Sequence, residues 1–151
     1  MIKLGKYVNT HGIKGEIRIL SDFSRKDLVF KSGFKIYIKD NEYIIKTYRK
    51  HKEFDMITLD GIENINDILS LKGNYVYIKR SDIEGFIEED LFSYKVINNN
   101  ESYKIIDILD NKAHKILVLE GNIMVPYVDE FIEKKDDLEK IIYMKLPSNM
   151  L

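Results

Sequence analysis

The sequence contains no cysteine, no tryptophan and only two prolines in 151 residues. Without cysteine there is no disulfide, no zinc–thiolate site and no thiol nucleophile. No apolar run approaches the about 20 residues needed to span a bilayer as a helix. The opening stretch, Met1-Ile2-Lys3-Leu4-Gly5-Lys6-Tyr7, lacks the apolar core of a signal peptide and reads as a strand. These absences lead to the expectation of a cytoplasmic protein. Enzyme signatures are also missing: there is no Gly-x-x-x-x-Gly-Lys-Ser/Thr loop and no Gly-x-Ser-x-Gly elbow. His11, His51 and His114 are scattered, and none has a partner at metal-ligand spacing. The neighbouring carboxylates Glu88-Glu89-Asp90 and Asp136-Asp137 would point to alternate faces of an extended chain, which suits solvated turns better than an acid–base pair. No catalytic residue, metal or cofactor is expected.

What is present favours packed β-structure. Hydrophobic residues make up 44% and charged residues 32%, enough apolar content for a core and too much for wholesale disorder. Aromatic content rests on ten Tyr and seven Phe, and together with abundant Ile it suits a pleated, half-buried surface. The net charge is −1, but it is unevenly spread. Residues 1–82 hold 16 Lys and Arg against 11 Asp and Glu, and residues 83–151 hold 8 against 14, giving +5 and −6. A basic half can approach phosphate, and an acidic half suits a basic protein. Compositional scatter between two domains would give the same numbers.

Short alternating runs recur along the chain. Lys14 to Leu20, Phe34 to Lys39, Tyr43 to Tyr48, Phe54 to Leu59 and Asn74 to Ile78 read as strands, with Asp40-Asn41 as a hairpin turn. Residues 64–73 break the rhythm: Ile65, Ile68, Leu69 and Lys72 have helical spacing, Asn64 or Asn66 can cap, and Gly73 can terminate. The first 82 residues therefore read as a small β-barrel with one short helix before its last strand. Residues 83–91, charged and weakly periodic, read as a linker. Beyond them, Tyr94 to Ile97, Ser102 to Ile108, Lys115 to Leu119, Ile123 to Val128 and Lys140 to Met144 give a second small barrel over 92–151. Pro126 cannot donate to a central ladder, so its strand should lie at an edge or bend. Nothing resembles a coiled coil or an extended apolar strip, so a monomer is expected.

The most distinctive string is Asn9-Thr10-His11-Gly12-Ile13-Lys14-Gly15-Glu16-Ile17-Arg18. Its glycines permit positive φ and close backbone approach. His11, Lys14 and Arg18 add donors for phosphate or ribose oxygens, although a glycine-pinned turn with a polar tip explains the same spacing. Arg49-Lys50-His51-Lys52 reads as a solvated basic loop, with phosphate contact as the alternative. Tyr75-Val76-Tyr77 places both tyrosines on one face, where they can pack or stack bases.

The string Gly5-x-x-x-x-Thr10-His11-Gly12-Ile13-Lys14-Gly15-Glu16 resembles the N-terminal signature of the RimM family of ribosome maturation factors. Leu59-Asp60-Gly61-Ile62 and Leu71-Lys72-Gly73-x-Tyr75-Val76-Tyr77-Ile78 are similar to the end of that family's first domain. Asp90-Leu91 resembles the entry to its PRC-barrel, Met124-Val125-Pro126-Tyr127-Val128 its proline-containing strand, and the stretches 136–142 and 146–151 its closing strand and tail. The resemblance covers about residues 2–151, in order. It implies a mainly β protein with a translation-factor-like N-terminal barrel and a C-terminal PRC-barrel. It also implies a non-catalytic chaperone of ribosome biogenesis that binds the head of the immature 30S subunit through head ribosomal protein number nineteen and promotes 16S rRNA processing. The ribosome or rRNA contact would involve His11, Gly12, Lys14, Gly15 and Arg18. The ribosomal-protein contact would involve Phe86, Ile87, Tyr127, Asp129 and Glu130. Two positions depart from the family. The aromatic cluster expected at the domain junction is Phe86-Ile87-Glu88, and the usual Thr-Gly-Ala-Asn-Asp turn is Asn111-Lys112-Ala113-His114-Lys115. The alternative function is a stand-alone RNA-binding β-barrel, which would lose affinity steeply with salt and need no protein partner.

Overall fold

The computed structural model describes residues 1–150; Leu151, the last residue of the tail read from the sequence, lies outside the described residues. The chain divides into two compact units, Met1–Phe86 and Ile87–Leu151.

In the first unit, β1 (Ile2–His11), β2 (Glu16–Leu20), β3 (Lys35–Ile38), β4 (Asn41–His51), β5 (Phe54–Leu59) and β6 (Tyr75–Ile78) close into a barrel of order β1-β2-β5-β4-β3-β6. Alternation sorts the side chains. Leu4, Tyr7, Ile17, Ile19, Ile36, Ile45, Ile57, Val76 and Ile78 are buried, while Lys3, Lys6 and Tyr75 between them are exposed. Each such aliphatic removed from water contributes about 1.5–3 kcal/mol before entropy is counted.

Closure rests on β1, which pairs with β6 through its first half and with β2 through its second. The register shifts between Lys3 and Gly5 and again between Tyr7 and Asn9, so the strand bends as it changes partner. At Gly5 a Cβ would stand 2.6 Å from the Leu20 carbonyl oxygen and 2.9 Å from Ile19 Cγ2. Only glycine lets the two backbones come this close.

A buried carboxylate braces the opposite wall. Asp55 on β5 is fully buried and accepts hydrogen bonds from Tyr48 Oη at 2.6 Å and Lys26 Nζ at 2.8 Å, with Lys50 Nζ at 3.6 Å. Lys26 begins α1 (Lys26–Val29), a four-residue helix absent from the sequence reading. Phe30, just beyond it, stacks on Tyr48 at 5.3 Å. Burial, followed by the hydrogen bond to Asp55, pushes the Tyr48 hydroxyl up to about 12.

The helix expected over 64–73 is two successive 3₁₀ turns, Ile65–Asp67 and Leu69–Leu71. Asn64 does cap, accepting from the Asn66 amide at 2.9 Å, and Gly73 takes φ +89°. Between the turns Ile68 adopts φ −127°, ψ −2°, outside helical values, and carries its side chain into the core. The β3–β4 turn is carried by Lys39 and Asp40, both at positive φ, one residue earlier than read from the sequence.

The second unit is a six-stranded sheet of order β10-β9-β8-β7-β12-β11, from β7 (Lys95–Asn98), β8 (Glu101–Asp110), β9 (Lys115–Leu119), β10 (Ile123–Tyr127), β11 (Ile132–Asp136) and β12 (Ile141–Met144). All its pairs are antiparallel except β7 with β12. Its core gathers Leu91, Tyr94, Val96, Ile105, Leu117, Leu119, Val125, Ile142, Met144 and Leu146. Pro126 sits on β10, an edge strand, where its missing N–H breaks no ladder bond on the open side. β11 is absent from the sequence reading because Ile132-Glu133-Lys134-Lys135-Asp136 has one apolar residue. The buried Asn98 accepts from the Leu146 amide at 3.0 Å and so pins the chain after β12. Residues 83–91 hold buried Ile83, Ile87 and Leu91, and a 3₁₀ segment runs from Glu88 to Ser93.

Tyr94 Oη donates to Asp137 Oδ1 at 2.5 Å. That bond, with the nearby Lys135 and Lys140 charges, holds the Asp137 carboxyl below its usual 3.8. The same bond, followed by burial and the Asp137 charge, pushes the Tyr94 hydroxyl up to about 12 from 10.0.

Two predictions follow from this architecture. Gly5→Ala should destabilise the chain by about 1–3 kcal/mol in denaturant unfolding, the cost typical of overpacking. An unchanged midpoint would contradict the close crossing. Tyr94→Phe should lower thermal stability most between about pH 5 and 9. The difference from wild type should shrink as pH falls through the depressed Asp137 value, where the carboxylate is lost. It should shrink again as pH rises from about 10 towards 12, where the phenol ionises. A pH-independent difference in melting temperature would rule out this pair as its cause.

Candidate functional site

The β1–β2 hairpin carries the residues singled out from the sequence. Its tip, residues 12–15, turns on two glycines in the left-handed region, Gly12 at φ +72° and Gly15 at φ +80°, where a side chain would be strained. Gly15 is buried against Asn64 and Ile68, and the Ile65 amide donates to the Ile13 carbonyl at 3.1 Å. The tip is thus moored to the 3₁₀ segment while Ile13 stays 81% exposed. Lys14, also exposed, lines an open groove of about 440 Å³ with Lys46, Thr47, Thr58, Ile62 and Glu63.

At the base of the hairpin, pairing sets His11 opposite Glu16 and Asn9 opposite Arg18. An Arg18 guanidinium nitrogen lies 3.2 Å from His11 Nδ1, which accepts when that bond is made. The same guanidinium lies 5.5 Å from the centre of the Phe54 ring. Arg18 therefore meets an imidazole and an aromatic ring at these contacts, leaving its charge available to an anion.

The sequence did not reveal which residues from β4 join this group. Arg49 grips Glu16 through two nitrogens, at 2.7 and 2.9 Å. Those hydrogen bonds, helped by the Arg49 charge, hold the Glu16 carboxyl below its ordinary value. His51, read as part of a basic loop, is instead the last residue of β4 and pairs with Phe54. His11, Arg49 and His51 thus gather around one carboxylate, with Arg18 beside His11. Such a surface can grip phosphate; among the described residues no group of three or more His, Asp or Glu is placed to hold a metal ion. The Arg49-x-His51 alternation was the available signal, but its register against β2 is set by β5, which lies between them.

Of the five residues considered for protein contact, Phe86, Asp129 and Glu130 are exposed. Ile87 is buried, at 1% exposure, and so presents no side chain to a partner. Tyr127 turns inward and packs half-buried against the second core, where burial raises its hydroxyl above the usual value. The outward side of the same strand is more open. Cross-strand pairing aligns Leu109, Ile116 and Pro126 in one row and Asp107, Val118 and Met124 in the next. Alternation puts both rows on the side facing away from Leu117 and Val125, which belong to the core. Met124 is 56% and Leu109 37% exposed. Val118 in the second row is buried, so the apolar surface across these strands consists of exposed Leu109 and Met124 with half-buried Ile116 and Pro126, and exposed Asp107, Asp110 and Glu120 lie on or at the end of the same strands. The departing turn 111–115 adjoins that surface, and Lys115 there pairs with both Asp110 and Glu88.

Comparison with known proteins bears on both units. Residues 2–83 match the family model of the RimM N-terminal domain, and residues 88–150 match that of the RimM PRC barrel domain. Ribosome maturation factor RimM proteins from two Staphylococcus aureus strains, JH9 and Newman, are each 34% identical over 156 aligned positions, covering 93% of this chain and 93% of the relative. A crystal structure of a 16S ribosomal RNA processing protein RimM from Pseudomonas aeruginosa aligns over 98% of both chains, with 18% identity and a TM-score of 0.48. With both domain models matched in order and curated relatives matched along nearly their whole length, this chain belongs to the ribosome maturation factor RimM family.

Proposed function

We propose that this protein is a non-catalytic assembly factor for the small ribosomal subunit that uses its two units for different partners. The second unit docks on ribosomal protein number nineteen in the head of the immature 30S particle. The first unit lies on 16S rRNA through the hairpin around His11, Gly12, Lys14, Gly15 and Arg18. Both contacts hold the head in a state that can mature, and neither requires bond-making chemistry.

The observation that carries this reading is the apolar surface of Leu109, Ile116, Met124 and Pro126 with its acidic neighbours, on a half-chain of charge −6. Exposed apolar surface rimmed by polar groups marks a protein interface. Acidic neighbours favour a basic partner, as ribosomal proteins are, and speed its encounter. Phosphate would be repelled by the same carboxylates. Asp129 and Glu130, exposed just beyond β10, can extend the contact, whereas the inward Tyr127 packs on the core of the same unit. A second reading, an RNA-binding barrel acting without a protein partner, is favoured by the +5 charge of residues 1–82.

Titration of the full chain against the purified ribosomal protein should give saturable binding. Leu109→Lys combined with Met124→Lys should weaken it by at least about tenfold, since two cations would then face a basic partner. Binding to RNA alone with none to the ribosomal protein would favour the second reading. On immature 30S particles, Lys14→Ala should reduce the slope of log affinity against log salt by about 1, the signature of one lost phosphate contact. An unchanged slope would remove Lys14 from the RNA contact.

A further inference from the structure

A different face of the first barrel is unused by this reading. On β6, Val76 and Ile78 point into the core, so Tyr75 and Tyr77 point out. Pairing places Lys6 opposite Tyr75, and Lys3 and Tyr37 on either side of Tyr77. The outer surface of β1, β6 and β3 therefore interleaves tyrosines with lysines.

Tyr75 is 45% exposed and stands between two depressions. One, of about 650 Å³, is lined by Tyr37, Lys39, Asn74, Tyr77 and Lys79 along with Asp40. The other, of about 300 Å³, is lined by Lys3, Lys6 and Ser21 along with Asp22. Each depression thus holds two lysines and one aspartate, and Tyr75 lines both. The cations are held by rings: Lys3 Nζ lies 4.0 Å and Lys6 Nζ 5.7 Å from the Tyr75 ring centre, and Lys79 Nζ 5.2 Å from that of Tyr37. An ammonium resting on a ring in this way can move to a phosphate at little cost and free the ring face.

We infer that this face binds single-stranded RNA, with a base stacked on Tyr75 and the backbone phosphates met by Lys3 and Lys6 on one side and Lys39 and Lys79 on the other. Repeated cations on both sides of one exposed ring fit a polymer whose anions repeat. The open ring selects unpaired bases, because a duplex keeps its base faces stacked internally. An acidic peptide could satisfy the lysines but has no flat group to replace them on the ring. This inference does not rest on the ribosomal-protein contact, which lies on the other unit.

The test is fluorescence anisotropy of the full chain with a labelled mixed-sequence RNA of about ten nucleotides, single-stranded or annealed to its complement. The single strand should bind at least about tenfold more tightly than the duplex. Tyr75→Ala should weaken it by about tenfold, while Tyr75→Phe should stay within about twofold because the ring remains. Lys3→Gln with Lys6→Gln should reduce the salt slope by about 1.4, or about 0.7 per phosphate on a single strand. Lys145→Gln, an exposed cation of the second unit, should leave binding to this oligonucleotide unchanged. Matching thermal melts would show that the variants fold. Equal affinity for duplex, equal losses in the Ala and Phe variants, or polyglutamate binding as tightly as RNA would overturn the inference. Absence of oligonucleotide binding would overturn it too, and would leave binding to the ribosomal protein as a separate result.

Discussion

The first barrel depends on the crossing of β1 over β2 at Gly5, where a single methyl group would collide with the Leu20 carbonyl. One strand must pair with β6, bend, and then pair with β2, and the two register shifts occur where it does so. The same strand positions both surfaces assigned to RNA. Its inward residues, Leu4 and Tyr7, hold the core, and its outward residues, Lys3 and Lys6, reach Tyr75. Its end delivers His11 to Arg18 and launches the glycine-pinned tip. A barrel has no free edge, so recognition on this unit falls to loop tips and to outward side chains.

Each unit also contains a polar anchor where apolar packing alone would not fix the chain. Asp55 ties α1 to β4 and β5 through Lys26 and Tyr48. A buried carboxylate is costly to desolvate and stable only with its partners in place, which makes the arrangement specific. Asn98 does the corresponding work in the second unit through the Leu146 amide. The second sheet, by contrast, leaves β10 and β11 as edges. On β10, Pro126 withholds one donor from would-be pairing strands, leaving its side chain and Met124 to offer apolar surface.

Most strands were legible because each has one buried face and therefore alternates. β11 was not, because Glu133 and Lys134 are exposed and only Ile132 marks the pattern. The helical spacing of 64–73 was present, but Ile68 leaves helical geometry to reach the core, and two short turns result. The hairpin residues were legible from glycine spacing and family resemblance. Their partners Arg49 and His51 were not, since they lie more than thirty residues away and are aligned through β5. Around Tyr127, sequence identified the strand but not its phase. The tyrosine is inward, and Met124 and Leu109 are outward. A one-residue change of phase exchanges the two faces of a strand, so the phase decides which residues can meet a partner.

The central claim is a division of labour, with protein contact on the second unit and RNA contact on the first. Its most direct test is site-specific photo-crosslinking of the full chain bound to immature 30S particles, with probes at Met124 and at Lys14. The account predicts that the probe at 124 cross-links to ribosomal protein nineteen and the probe at 14 to 16S rRNA. Cross-links from position 124 to rRNA and from position 14 to protein would contradict it.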